Sequence, residues 1–387
     1  MLIKIKDFCN ITMGQSPESK YYSKDTGVPF IQGNRTFGLK YPYIDTYTEK
    51  VTKIAPLGSV LMSVRAPVGD LNIANQDICI GRGIAALEAK DKYNEFLFYA
   101  LKSNMNNILN KGNGTTYDSI TIDTLKEIEI NIPDEIIIRK KISNLLASID
   151  YQIERNNNMV KKLQVLAHSI YSSWFIQFNF PNAEGKSYKS SGGKMIYNEE
   201  IKRDIPEGWE VKKLKDLMFK VNRPFNYSKD EKTIDLSVMP SNSFCLADIN
   251  SSKNFSTNLF SMKKGDLLFG SIRPYLKKAG LAPCDGAVAG TVHCLNVYNE
   301  FDYNFCLLTL CSENVFDYAN KASKGTKMPV ISCDDLLEYP IIYCKEIIQK
   351  FQSLNLKEFI PHLIEENHRL TSLKNKLLPL LINGQLQ

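Results

Sequence analysis

One stretch in the second half of the chain echoes a stretch in the first, and this constrains the fold more than any other feature. Gly58-Ser59-Val60-Leu61-Met62-Ser63-Val64-Arg65-Ala66-Pro67 returns as Gly265-Asp266-Leu267-Leu268-Phe269-Gly270-Ser271-Ile272-Arg273-Pro274. Gly114-Thr115, Ile120, Asp123 and Leu125 return at an offset of 211 residues as Gly325-Thr326, Ile331, Asp334 and Leu336. The same offset pairs Ile136-Ile137 with Ile347-Ile348 and Asn156 with Asn367. There are two domain-sized copies, which makes a duplication and not a solenoid. A duplicated protein suits a target with two similar halves, and a DNA duplex is the commonest of that kind.

Within a copy the pattern changes character once. Residues 1–133 mix short strand-like runs (Val28–Ile31, Ser59–Met62, Ile128–Ile132) with Gly, Pro and Asn turns, and Glu95–Leu101 reads as a short helix. This predicts an α+β domain. From 134 to 176 apolar residues recur at threes and fours: Ile138, Ile142, Leu145, Ile149, Ile153, Val160, Leu163, Ala167, Ile170 and Trp174, with polar Asn156 in the slot after Ile153. That heptad stripe predicts one helix of about 40 residues, about 60 Å long. Such a helix outruns a small domain and needs another to cover its stripe. The second copy supplies one in 345–387, through Leu356, Ile360, Leu363, Asn367, Leu370, Leu373, Leu377 and Leu381, with Pro361 and Pro379 expected to kink or restart it. Asn156 and Asn367 hold equivalent positions. Either they fix the register of the pair, as buried seam asparagines do, or they are solvated at a frayed edge. Residues 177–205, rich in Gly, Ser, Lys and Asn, read as a linker or extended loop, and 206–344 as the second α+β domain.

Composition excludes several classes. No uninterrupted apolar run of 18 or more residues occurs, so no membrane span is expected, and the N-terminus lacks a signal-peptide layout, which points to the cytoplasm. The net charge of +6 is spread thinly: +1 over 1–133, +2 over 134–176, +1 over 177–205, 0 over 206–344 and +2 over 345–387. That is no footprint of a chain holding DNA by charge alone, so any grip on DNA would be shared with another subunit. The nine cysteines include no C-x-x-C and do not cluster with the four histidines, so they read as reduced core thiols. Catalytic constellations are missing as well. There is no phosphate-binding G-x-x-x-x-G-K-[ST] loop, no G-x-G-x-x-G after a strand and no N/D-P-P-aromatic tetrapeptide of amino-methyltransferases. Asp334-Asp335 reads as the start of a helix.

Taken in order, these features resemble the specificity subunits of type I restriction–modification systems. The resemblance spans essentially the whole chain: domain, long helix, domain, long helix. It is strengthened by Trp174-Phe175-Ile176-Gln177-Phe178-Asn179-Phe180-Pro181 leaving the first helix and Ile205-Pro206-Glu207-Gly208-Trp209 leading into the second domain. The first copy lacks that P-x-G-W lead-in, and Pro133-Asp134-Glu135-Ile136 lacks the Gln often found there. The resemblance implies two target-recognition domains in tandem, each reading one half of a split sequence on double-stranded DNA, and long helices that pair as an antiparallel coiled coil. It implies a non-catalytic chain that docks two methyltransferase (modification) subunits, to which restriction/translocase subunits can be added. No cofactor is expected in this chain; S-adenosylmethionine is expected in the partner methyltransferase. The seam would comprise Ile142, Leu145, Ile149, Ile153, Asn156 and Leu163 against Ile360, Leu363, Asn367 and Leu370. Two rival readings stay open: a degenerate or split methyltransferase with its own cofactor pocket, and a coiled-coil adaptor that never touches DNA.

Candidate DNA contacts follow from base-edge chemistry, in which Arg suits guanine and Asn or Gln suits adenine. Gln32, Asn34 and Arg35 open a loop after a strand; an ordinary polar turn is the alternative. Arg65 and Arg273 each follow an apolar strand beside a proline, a recurrence that a structural ion pair would also explain. Lys111, Thr115 and Thr116, and their counterparts Lys324, Thr326 and Lys327, sit in Gly-containing loops that suit phosphate or are simply solvated turns. Lys277 and Lys278 complete the set as phosphate contacts. Dissimilar loops around Asn34 and Ser241 imply an asymmetric target, with half-sites about 10 bp apart between centres.

Overall fold

The computed structural model describes residues 1–110, 119–227, 230–255 and 258–385. The chain divides into two compact units, Met1–Glu154 with Arg369–Gln387, and Arg155–His368.

The duplication is visible as topology. In the first unit, apolar strands Val60–Ser63 and Ile84–Ala89 lie at the centre of a four-stranded antiparallel sheet, flanked by Leu71–Ile73 and Cys9–Met13. In the second, Leu267–Gly270 and Val292–Val297 do the same between Ala279–Leu281 and Met218–Lys220. All residues of Val60–Ser63 and Leu267–Gly270 are buried, which is why these runs read as continuous and not alternating. Each unit adds a five-stranded sheet with one parallel pair: Val28–Ile31 beside Ile78–Ile80, and Lys232–Ile234 beside Gly286–Ala289. A two-stranded closure ties each domain's ends together, Leu2–Lys4 with Glu129–Asn131, and Glu210–Lys213 with Pro340–Tyr343. The predicted helix at Glu95–Leu101 is longer, Asn94–Asn110. The short helices Ile122–Glu127 and Cys333–Leu337 occupy equivalent places and are capped alike, by Thr121 and Ser332 hydroxyls accepting from Thr124 N and Asp335 N. Asp334-Asp335 is thus a helix start.

The central helix runs from Ile136 to Tyr171, 36 residues or about 54 Å, and ends in a π turn over Ser172–Ile176. The C-terminal helix runs from Leu356 to Ile382. Residues 345–355 are separate: a short helix Lys345–Phe351, a 3-10 turn Gln352–Leu354, and Asn355 in the left-handed region at φ 45°. The expected restart at Pro361 or Pro379 does not occur; the break is at Asn355. Each proline forfeits one helical donor, and buried neighbours on either side (Ile360 and Ile364, Leu378 and Ile382) hold the helix through it.

Within the first unit, Ile142 and Leu146 of the central helix join the core of the sheet domain together with Leu378 and Ile382 of the C-terminal helix. Asp150 takes an ion pair from Lys374, both side chains 5% exposed, and accepts a hydrogen bond from Tyr99 (2.7 Å). Within the second unit, Val160 and Ala167 share a core with Leu356, Ile360 and Ile364, and Leu163 and Leu363 are partly buried against it. There Asn156 Nδ2 donates to Asn367 Oδ1 (2.9 Å) and to Glu366 Oε2 (3.1 Å), and Asn367 Nδ2 donates to Asn157 Oδ1 (2.8 Å). Rising position on one helix meets falling position on the other, so the pairing in each unit is antiparallel.

Two seam expectations are corrected. Leu145 is 44% exposed and Leu146 is fully buried, so the adjacent leucine takes the seam. On the partner helix Leu373 is 45% exposed, while Lys374 is 4% exposed and points at Asp150. Ile149, Ile153 and Asn156 are buried, and Leu370 is half-buried. Residues 177–205, read as a linker or extended loop, are anchored: Phe178 and Phe180 are buried, Tyr188 stacks on Phe180 at 4.7 Å, and Met195–Asn198 pairs with Arg203–Pro206. All nine cysteines are free and seven are buried; burial pushes the Cys9 and Cys245 thiols up to about 12. Among the described residues no helix is long and apolar enough to cross a membrane.

Candidate nucleic-acid interface

Each unit carries an arginine on the turn that leaves its central strand. In the second unit, Leu267–Gly270 ends in Ser271-Ile272, and Arg273 sits in the left-handed region at φ 51° as the cap of a one-turn 3-10 helix, Pro274–Leu276. Its backbone N–H donates to Pro329 O (2.8 Å), and Ile272 bridges Val330. These contacts bring the arginine turn beside the loop of Lys324, Thr326 and Lys327, all exposed, where Gly325 takes φ 97°. Two candidate elements 51 residues apart (Arg273 and Lys324) therefore share one edge. The Arg273 side chain is exposed, and among the described residues no carboxylate pairs with it.

The first unit repeats the plan. Arg65 is exposed on the turn after Val60–Ser63 and bridges Ser119. Lys111, Thr115 and Thr116 lie outside the described residues. Among the described residues Arg65 also has no ion-pair partner, so neither arginine shows the structural ion pair that was the alternative reading of their recurrence. A second loop joins this edge. Asn34 opens a 3-10 turn, Asn34–Thr36, and its Nδ2 donates to Asp70 in the turn just beyond Arg65. Gln32 is exposed next to it.

Other candidates are already engaged. Arg35 pairs with Asp45 at 2.7 Å, and its guanidinium, with help from Thr46, holds that carboxyl below the usual carboxylate range. Lys277 pairs with Glu313, and Lys278 donates to Leu236 O. These three cations are partly neutralised or directed at protein and offer less to phosphate than Arg65 or Arg273.

A family model described as the type I restriction modification DNA specificity domain matches residues 1–164. Over 420 residues the chain is 28% identical to the type I restriction enzyme MjaIX specificity subunit of Methanocaldococcus jannaschii, covering 99% of this chain and 93% of that one. The putative type I restriction enzyme MjaX specificity subunit of the same organism is 43% identical over 150 residues, 38% of this chain and 35% of that one. Among solved structures, the type I restriction–modification S subunit from M. genitalium superposes with a TM-score of 0.65 at 17% identity, covering 99% of this chain and 96% of that one, a likeness of fold. Over nearly its whole length the chain is similar to the specificity subunits of type I restriction–modification systems.

The informative residues at these edges are those sequence reasoning left out. Asp70 was not a candidate because an acidic side chain is a poor DNA contact by itself; only the fold places it against Asn34. Tyr41 and Tyr43, 41% and 55% exposed beyond the Asn34 turn, gave no periodic signal. Among the described residues no group of three or more His, Cys, Asp or Glu side chains is placed to hold a metal ion.

Proposed function

We propose that this specificity subunit reads a bipartite, asymmetric target on double-stranded DNA, one half through each recognition domain. It is the non-catalytic, DNA-reading member of a type I restriction–modification complex. The observation that carries this reading is the repeated edge: one topology twice, each copy presenting an arginine free of any described carboxylate, with dissimilar loops around it. Arg65 and Arg273 are the leading base readers, since a guanidinium matches the two acceptors of guanine. Gln32 and Asn34 add adenine-type readers in the first half only. Lys324, Thr326 and Lys327 are phosphate contacts in the second half, and Lys111, Thr115 and Thr116 their counterparts in the first. Arg35, Lys277 and Lys278 play a lesser part.

The helix pair supplies the platform for two methyltransferase (modification) subunits, which hold S-adenosylmethionine and share the grip on DNA that a net charge of +6 leaves incomplete. A restriction/translocase subunit joins the same assembly where the system cleaves as well as methylates. The work takes place in the cytoplasm, where the chromosome is. Mapping methylated adenines in the source cell with and without this chain tests the reading. A bipartite motif should vanish on deletion, and exchanging residues 206–344 for another recognition domain should change one half of it. If no bipartite motif is lost, the reading is wrong.

A further inference from the structure

We infer that Asp70 is the positioning residue that fixes Asn34 as an adenine reader in the first recognition domain. The inference rests on the proposal that this domain reads DNA and names one base in its half-site.

Asp70 is held in place from below. Its backbone N–H donates to Ser63 Oγ (2.9 Å), its carbonyl accepts from Ser63 N (2.9 Å), and Ser63 Oγ donates to Pro67 O (2.8 Å). Ser63 ends a fully buried strand and is itself 1% exposed. Asn34 is held separately, as Phe37 N donates to Asn34 O (2.9 Å) at the close of its 3-10 turn. Both side chains are thus delivered from fixed backbone to one edge. Together they border an open cavity of about 490 Å³ that also meets Phe37, Leu39 and Lys102.

The chemistry of the pair decides the orientation of the amide. A carboxylate only accepts, so the NH2 side of Asn34 must face Asp70. With the N–H trans to Oδ1 given to Asp70, the other N–H and the carbonyl Oδ1 remain side by side in the amide plane. Among the described residues no other side-chain hydrogen bond occupies them. A donor beside an acceptor is the complement of the adenine major-groove edge, which presents the N7 acceptor and the N6 amino donor. Guanine presents two acceptors, N7 and O6, and the second would face Oδ1 without a proton between them. An untethered amide can turn over and lose this discrimination; Asp70 prevents the turn. The second copy has no such device, for Gly270 N donates to Lys278 O (2.8 Å) as Ser63 N does to Asp70 O, so Asp70 corresponds to Lys278, whose Nζ donates to Leu236 O.

The experiment assembles the full chain with its modification subunits and measures methylation rates on duplexes varied one base at a time across the motif. Asn34→Ala should lower the rate on the cognate duplex by roughly 10–100-fold through one adenine position, the worth of a bidentate base contact. Asp70→Ala and Asp70→Asn should cut the adenine-over-guanine preference at that same position by about tenfold, the low end of that range. Asp70→Glu, which keeps the acceptor, should retain most of it, and thermal unfolding should be unchanged in all three. If Asn34→Ala relaxes a position and the Asp70 variants do not, or if neither moves any position, the inference is overturned while the bipartite reading stands. If the unmodified complex methylates no bipartite motif, the proposed function fails first.

Discussion

The two units share their sheets and differ at their seams. The polar layer of the helix pair in the first unit is an ion pair, Asp150 with Lys374, joined by Tyr99; in the second it is an amide pair, Asn156 with Asn367. At the 211-residue offset Asn156 corresponds to its own partner, whereas Asp150 corresponds to Pro361 and Lys374 to Leu163. The amide layer would be satisfied equally if two copies of one helix met, since Asn can donate to and accept from Asn. The ionic layer would not: two central helices meeting through Asn156 would set Asp150 against Leu163 and leave a buried charge unpaired. Duplication supplies a symmetric layer for register, and divergence has added a directional one.

Removing one partner of the ionic layer should therefore have the largest effect. Lys374→Ala leaves Asp150 buried without its cation and should cost about 3–5 kcal/mol, the usual result of orphaning one member of a buried pair. Hydrogen exchange should localise the loss to the first unit. The double variant Asp150→Leu/Lys374→Leu should recover most of that loss, because desolvation of both charges is then avoided. Equal destabilisation of both units by Lys374→Ala would show that the layers are not independent.

Next comes a pair of adjacent residues that sequence could not separate. Leu145 and Leu146 both satisfy a three–four spacing from Ile142 and Ile149, so periodicity is indifferent between them, and only packing chooses. Leu146→Ala should cost about 2–4 kcal/mol by leaving a cavity, and Leu145→Ala less than about 0.5 kcal/mol, read as midpoints of chemical denaturation. The same limit hid Lys374: an apolar-only template preferred Leu373, because nothing local to a lysine announces a buried carboxylate on another helix. The repeat, the apolar strand runs, the long helices and the arginine turns were legible because each rests on local order or strand periodicity. The Asp70–Asn34 contact spans 36 residues and the Asp150–Lys374 contact 224, and neither leaves a local trace.

The arginine edges allow the comparison to be tested on DNA. Arg65→Ala and Arg273→Ala should each weaken binding of the assembled complex to its target by about 1–3 kcal/mol, through one half-site each. Arg35→Ala should do less, under about 1 kcal/mol, since its charge is already met by Asp45 at the surface. Titration against duplexes scrambled in one half at a time separates the two. Loss of both halves on changing one arginine would contradict domain-wise reading.

The smallest expected difference concerns pH. All four histidines, His168, His293, His362 and His368, fall in the second unit. Burial lowers the pKa of His293 and His168 below the ordinary value of 6.5, and in its neutral form His293 Nε2 donates to Ile331 O (3.0 Å), next to the arginine edge. With a folded pKa below the unfolded one, both states are neutral above pH 6.5 and stability is undiminished there. As pH falls through 6.5 the unfolded chain takes up protons first, so the folded state loses ground until its own pKa is passed. Exchange protection in the second unit should accordingly drop between pH 7.5 and 5.5, after correction for intrinsic exchange rates, while histidine contributes nothing to any change in the first. His293→Gln, which can keep a donor to Ile331 but cannot titrate, should remove part of the drop. A parallel decline in both units would mean that acid acts through carboxylates common to the two copies and not through this histidine set.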